Sequence, residues 1–270
     1  MKYPDVLIAE LKLRGYSERT REVYMRWNDD FLVQVKKPPL EVNQKDVDTY
    51  SLHLADQGLG KNTRHLAVAA LRFYYKIILK RKFAWKYPKL GEQLPTVLTK
   101  EEILSMVDIT QNPKHKLLIE LLYSSGLRVS EAVKMKVGDI FPGEGIAKVL
   151  HGKGDKDRIV LLSNRFLRDF ADYNALQGNK EMYLFPSAVR HAPLSIRTAE
   201  LIVKAAAKKA GITKRVYCHA LRASFATHHL EQGTDVISIQ KLMGHSKLST
   251  TQGYIHCSLD HLRCIKSLLD

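Results

Sequence analysis

Five short segments hold the side chains best suited to chemistry. Residues 124–131 read Ser-Ser-Gly-Leu-Arg-Val-Ser-Glu and set Arg128 just after a glycine break, with Glu131 three residues on. Residues 151–158, His-Gly-Lys-Gly-Asp-Lys-Asp-Arg, place Lys153 between two glycines. His219 and Arg222 stand three apart, on one side of a helical turn. His245 follows a glycine in Leu-Met-Gly-His-Ser, and Tyr254 comes nine residues later in Thr-Thr-Gln-Gly-Tyr-Ile-His. Together these are the parts needed to break a phosphodiester without hydrolysis. A nucleophile must attack in line, cations must balance the non-bridging oxygens, and an acid must protonate the leaving oxygen. Arginine suits the phosphate because its planar fork donates two hydrogen bonds and stays charged. A free tyrosine, with a pKa of about 10, needs such positive neighbours to react near neutrality.

Each residue has an ordinary reading when taken alone. Tyr254 is one of 12 tyrosines. Arg128 could simply pair with Glu131, Lys153 could be an exposed turn residue, and His219 and His245 could sit at helix ends. The ordered set carries the signal. In that order and spacing the segments resemble the tyrosine recombinase family, which includes phage integrases and Xer-type recombinases. The resemblance spans nearly the whole chain. It is strongest over residues 94–259, and the first 86 residues resemble the family's helical core-binding domain.

The resemblance implies a role for each position. Arg128 and Arg222 would hold the scissile phosphate, and Lys153 would protonate the leaving 5′ oxygen. His219 would assist proton movement at the tyrosine, His245 would contact the phosphate, and Tyr254 would be the nucleophile. Glu131 would support the first arginine. Ala223 departs from many members, which have histidine there, but that position is not a catalytic one. The implied activity is site-specific DNA strand transfer by transesterification through a 3′-phosphotyrosine, with no cofactor and no metal. It would serve Xer-like chromosome dimer resolution, as in chromosome partition, or integrative-element recombination. The compact chain, with no added N-terminal arm-binding domain, favours the Xer-like type. The implied partner is double-stranded DNA with a specific recombination site, bound by a homo-tetramer from a protein that is monomeric when free.

The elements that must position these residues are mostly helical. Ser17 can cap a run with Val23, Trp27 and Phe31 facing inward, stopped by Pro38-Pro39. Asn43 can cap a second run, with Val47, Tyr50 and Leu54 inward, that stops near Gly58. A third run, from Asn62 to about Lys82, has Leu66, Ala70, Phe73 and Ile77 among its apolar positions. It also carries Arg64, Arg72, Lys76 and Lys80 at multiples of four, a stripe that can lie along DNA phosphates or simply face water. Residues 87–98 hold two prolines and a glycine and read as a linker. Thr99 and Glu102 then form a capping box. Two β-prone runs, 146–151 and 158–162, predict a hairpin. Helices are expected over 195–210, 219–231, 235–243 and 247–255, with a short one after Asp260. Leu262, Ile265, Leu268 and Leu269 give that tail an apolar stripe able to dock in the same protomer or a neighbour. The expected architecture is a mainly α, two-domain DNA clamp. Its N-terminal helical core DNA-binding domain covers 1–86, a linker 87–98, and a mostly helical catalytic domain with a small β-hairpin or sheet 99–270.

Composition agrees with a polyanion partner. The net charge is +15, and cutting the chain after Leu98 leaves 18 Lys and Arg against 11 Asp and Glu before it, and 25 against 17 after it. Both halves are basic, so a single basic tail is excluded. Three cysteines with none in a Cys-x-x-Cys pair, no membrane-length apolar run and no signal-peptide core predict a soluble cytoplasmic protein. His256, Cys257, His261 and Cys264 cluster, but not at ordinary zinc spacing. Two other functions compete: an architectural DNA-binding protein without strand exchange, and DNA relaxation of the type IB topoisomerase kind. The full residue set opposes the first, and the two-domain layout and short length oppose the second.

Overall fold

The computed structural model describes residues 3–89, 95–150, 157–177, 182–189 and 192–244. The chain divides into two compact units, residues 1–92 and 93–270.

In the first unit, α1 (Asp5–Leu13) buries Leu7 and Leu11, a helix that a reading beginning at Ser17 leaves out. Ser17 does cap α2 (Glu18–Val35), its Oγ accepting from the Thr20 N–H at 3.3 Å. Trp27 and Phe31 are buried, whereas Val23 is half-buried. The helix stops before the prolines, at Lys36 in the left-handed conformation. Asn43 and Asp46 form a capping box for α3 (Gln44–Asp56), which buries Val47, Tyr50 and Leu54 as expected. Buried Asn28 ties α2 to α4 (Lys61–Arg72) by donating to Tyr24 O at 2.8 Å and Ala70 O at 3.3 Å.

The third expected helix needs correction. It changes at Phe73 into a π-helical segment, Phe73–Ile78, in which the Leu79 N–H donates to Tyr74 O five residues back. Phe73, Tyr74 and Tyr75 are all buried. Consecutive α-helical residues lie about 100° apart, so three buried aromatics in a row exceed one face, and the wider turn accommodates them. Leu66, expected inside, is 40% exposed, and Ala67, Val68 and Leu71 are inside instead. Lys80 lies beyond the helix end with φ 55°. The stripe of four cations is therefore broken. Arg64 lines a hollow with Asp48 and Tyr87, its Nε buried without a hydrogen-bond partner among the described residues. Arg72 and Lys76 line another, of about 390 Å³, with Arg81, Lys82, Phe83, Trp85 and Tyr87.

In the second unit, Thr99 and Glu102 form the expected capping box on α5 (Lys100–Asp108). α6 (Pro113–Ser125) buries Leu117, Leu118, Ile119, Leu121 and Leu122. A helix apolar on nearly every side must be central, and α6 packs against α5 and the three long helices that follow the sheet, spanning Asn164–Gln177, Ile196–Lys209 and Cys218–Glu231. A short α7 (Val129–Ala132) follows. β1 (Ile140–Phe141), β2 (Ile146–Val149) and β3 (Arg158–Leu161) form an antiparallel sheet in that order. Its second half is the expected hairpin, with Val149 opposite Arg158 and Ala147 opposite Val160, and β1 is an added strand. α8 (Asn164–Gln177) was not foreseen. The expected helices at 195–210, 219–231 and 235–243 are α9 (Ile196–Lys209), α10 (Cys218–Glu231) and α11 (Val236–Met243). Those expected at 247–255 and after Asp260 lie outside the described residues. No helix among the described residues is long and apolar enough to cross a membrane.

Candidate active site

Arg128 owes its position to a break between two helices. Gly126 ends α6 in the left-handed conformation, φ 60°, and a Cβ there would collide with the ring of Phe225 on α10. The chain turns sharply, buries Leu127, and presents Arg128 as the N-cap of α7. Glu131, at the third position of α7, reaches back and accepts from the Arg128 backbone N–H at 2.9 Å. Its Oε1 also takes Arg128 Nη1 at 3.0 Å. Arg128 Nη2 donates to Gly244 O at 3.2 Å, and the side chain stays 24% exposed.

Arg222 approaches from α10 and is 1% exposed. Its Nη1 donates to Gly126 O, and its Nη2 donates to Met243 O at 2.7 Å. The two arginines thus meet the same two pieces of backbone, the turn after α6 and the last residues of α11. His219, one turn before Arg222, is exposed. The protein packed against it still removes part of the ring's hydration, which lowers its pKa, and the positive charges of Arg222 and Arg128 lower it further. A neutral imidazole has a free ring nitrogen able to accept a proton.

Arg158 was missed by the sequence reading. It begins β3 and grips Glu131 with both ends of its fork, Nη1 to Oε1 at 2.9 Å and Nη2 to Oε2 at 2.6 Å. Its Nε donates to Leu242 O at 3.1 Å. Burial alone pushes the Glu131 carboxyl up, but hydrogen bonds from Arg158 and the Arg128 backbone, with both cations, bring its pKa down to about 2. Strand parity held a signal for Arg158: it shares a face with buried Val160, two residues on. Arg81 and Lys82 were also missed. Only the fold brings them beside Arg72 and Lys76.

Arg128 and Arg158 therefore flank the buried Glu131 carboxylate, Arg222 joins the same turn and the end of α11, and His219 stands one helical turn from Arg222. Lys153, His245 and Tyr254 lie outside the described residues, as does the His256–Cys264 group. Arg64, Arg72, Lys76 and Lys80 belong to the first unit.

Residues 96–261 match the phage integrase family, and residues 5–85 match the phage integrase N-terminal SAM-like domain. Tyrosine recombinase XerA of Pyrococcus horikoshii is 34% identical over 257 residues, covering 94% of this chain and 88% of that protein. A crystal structure of XerA recombinase aligns with a TM-score of 0.59 at 29% identity, covering 96% of this chain and 94% of the other. The XerH site-specific recombinase bound to palindromic difH substrate, in a post-cleavage complex, shares the fold with a TM-score of 0.75 at 22% identity, covering 93% and 80%.

Proposed function

The chain belongs to the phage integrase family and is a site-specific DNA recombinase of the Xer tyrosine recombinase type; on that premise we propose which of its residues do the work. The Tyr254 Oη attacks a DNA phosphorus, and the bond to the 5′ oxygen breaks as a 3′-phosphotyrosine forms. Lys153 gives a proton to the departing 5′ oxygen. Arg128 and Arg222 bind the non-bridging oxygens, His245 adds a contact there, and His219 takes part in moving the phenolic proton. The ester keeps the phosphodiester's energy, so a 5′ hydroxyl from another strand reverses the step without ATP. The observation that carries this assignment is the meeting of Arg128 and Arg222 at one turn beside an exposed, neutral-leaning His219.

The division of labour along the chain is part of the proposal. Residues 1–86 hold core DNA, with Arg64, Arg72, Lys76 and Lys80 as the cations assigned to it. Residues 87–98 link, and residues 99–270 react. The partner is duplex DNA with a specific recombination site, and the working form is a homo-tetramer assembled there in the cytoplasm from free monomers. Relatives that carry DNA in their solved complexes support the DNA partner.

A nicked suicide duplex tests the assignment, because loss of a short 5′ fragment traps the covalent protein. Tyr254→Phe should bind that duplex as wild type does and trap none. An adduct formed by the phenylalanine protein overturns Tyr254 as nucleophile. No adduct from the wild-type protein at any concentration favours DNA binding alone. Mapping adducts on the host chromosome separates dimer resolution from mobile-element integration.

A further inference from the structure

Arg158 has no part in the reaction outlined above, yet no cation near Glu131 is more fully committed. Its two Nη atoms hold both carboxylate oxygens at 2.9 and 2.6 Å, and its Nε holds Leu242 O at 3.1 Å. The side chain is only 10% exposed, against 24% for Arg128. Of the two guanidiniums on Glu131, the more exposed is the one assigned to phosphate, and the other is held by protein.

Three parts of the fold converge on this guanidinium. β3 supplies it, at the foot of the hairpin whose connection contains Lys153 in sequence. α7 supplies Glu131. The end of α11 supplies Leu242 O, and Gly244 packs so closely that a Cβ would lie 3.0 Å from Arg158 Cδ and 3.1 Å from its Nε. His245 is the next residue in the chain.

Charge counting gives the arrangement a second effect. Arg128 and Glu131 alone form a neutral pair. With Arg158 the cluster carries one net positive charge, and the carboxylate's pull is divided between two forks. Arg128 then keeps its attraction for an incoming anion while its orientation stays fixed. A paired charge inside protein acts over short distance with little screening, so one uncompensated unit matters there.

We propose that Arg158 is a positioning residue for strand cleavage: it satisfies Glu131 so that Arg128 stays oriented and net positive, and it pins the hairpin foot and the end of α11 to one carboxylate. The proposal rests on the reading of Arg128 as a phosphate ligand.

The test is single-turnover covalent-complex formation by the full chain on the nicked suicide duplex, with the DNA Kd measured in parallel. Arg158→Met should slow cleavage by about 100-fold, in the range seen when one preorganised charge contact is lost, with a Kd change under about 3-fold. Adding Glu131→Gln removes the unshared carboxylate, so the double variant should regain about 10-fold over Arg158→Met alone. A packing role would instead make the two losses multiply. Arg158→Lys keeps the charge but cannot hold two oxygens and a carbonyl together, and should be about 10-fold slow. The proposal is overturned by cleavage within about 3-fold of wild type in Arg158→Met, by a loss residing in Kd, or by a double variant no faster than the single. Should Arg158→Met show no cooperative melt, Arg158→Lys decides: wild-type cleavage by it overturns the proposal, and a slow but folded protein supports it. Arg128→Ala is the control, and wild-type cleavage by that variant would overturn the phosphate-ligand reading instead.

Discussion

At the scale of single residues, the site is governed by how few of its charges are free. Glu131 accepts from two guanidiniums and a backbone N–H, and every one of those bonds opposes its protonation. Arg222 spends its fork on two backbone carbonyls that close a helix end and a turn. His219 feels the remainder. A base with a lowered pKa is neutral at pH 7 and takes its proton only as the pH falls below the ordinary 6.5. NMR titration of His219 should therefore show a midpoint below 6.5. Arg128→Ala removes one of the opposing cations and should raise that midpoint. A midpoint at or above 6.5 in the wild-type protein would contradict the partly dehydrated, positively charged surroundings of the ring.

At the scale of elements, the decisive contact is α6 against α10. Both helices are buried along most of their length, and Gly126, which ends α6, leaves room for the ring of Phe225 on α10. The same contact sets the turn that carries Arg128 beside the helix that carries Arg222. Gly126→Ala imposes a left-handed backbone on a residue with a side chain, and drives a methyl group into a buried ring. Together these should cost about 2–4 kcal/mol. Chemical denaturation would show a lower midpoint, and cleavage should fall more than DNA binding, because the turn that carries Arg128 must move. An unchanged midpoint would mean that the turn relaxes freely, against the packing described. Elsewhere the elements follow local rules: the oxygens of Ser17, Asn43, Thr99 and Asp235 each cap the helix expected to begin beside them.

At the scale of the whole molecule, the +15 charge is shared by both halves of the chain. Binding to DNA should weaken steeply with salt, because each neutralised phosphate releases about 0.9 of a counterion. In the first unit, Arg72 and Lys76 share their hollow with Arg81 and Lys82. Replacing Arg72 and Lys76 by alanine should reduce the slope of log K against log salt by about 1 to 2, with similar effects on specific and unrelated sequences. An unchanged slope would remove these two residues from the DNA surface. Lys80, past the helix end, is expected to contribute separately from them.

The amino-acid sequence by itself determined what depends on near neighbours. Helix caps, the α3 face of Val47, Tyr50 and Leu54, the hairpin pairing and the order of the reactive segments all arise from short-range geometry and alternation. Family likeness was legible for the same reason, because the spacing of the five segments is itself a sequence property. Tertiary structure alone decided the rest. The π-helical turn answers to three aromatics that must all reach one core, so the cationic stripe drawn on a regular helix could not survive. Arg158 met Glu131 across 27 residues because a strand and a short helix were brought together by the packing of α6, and no local pattern encodes that distance. A charge's partners are set by where the chain returns, and only the folded core fixes those returns.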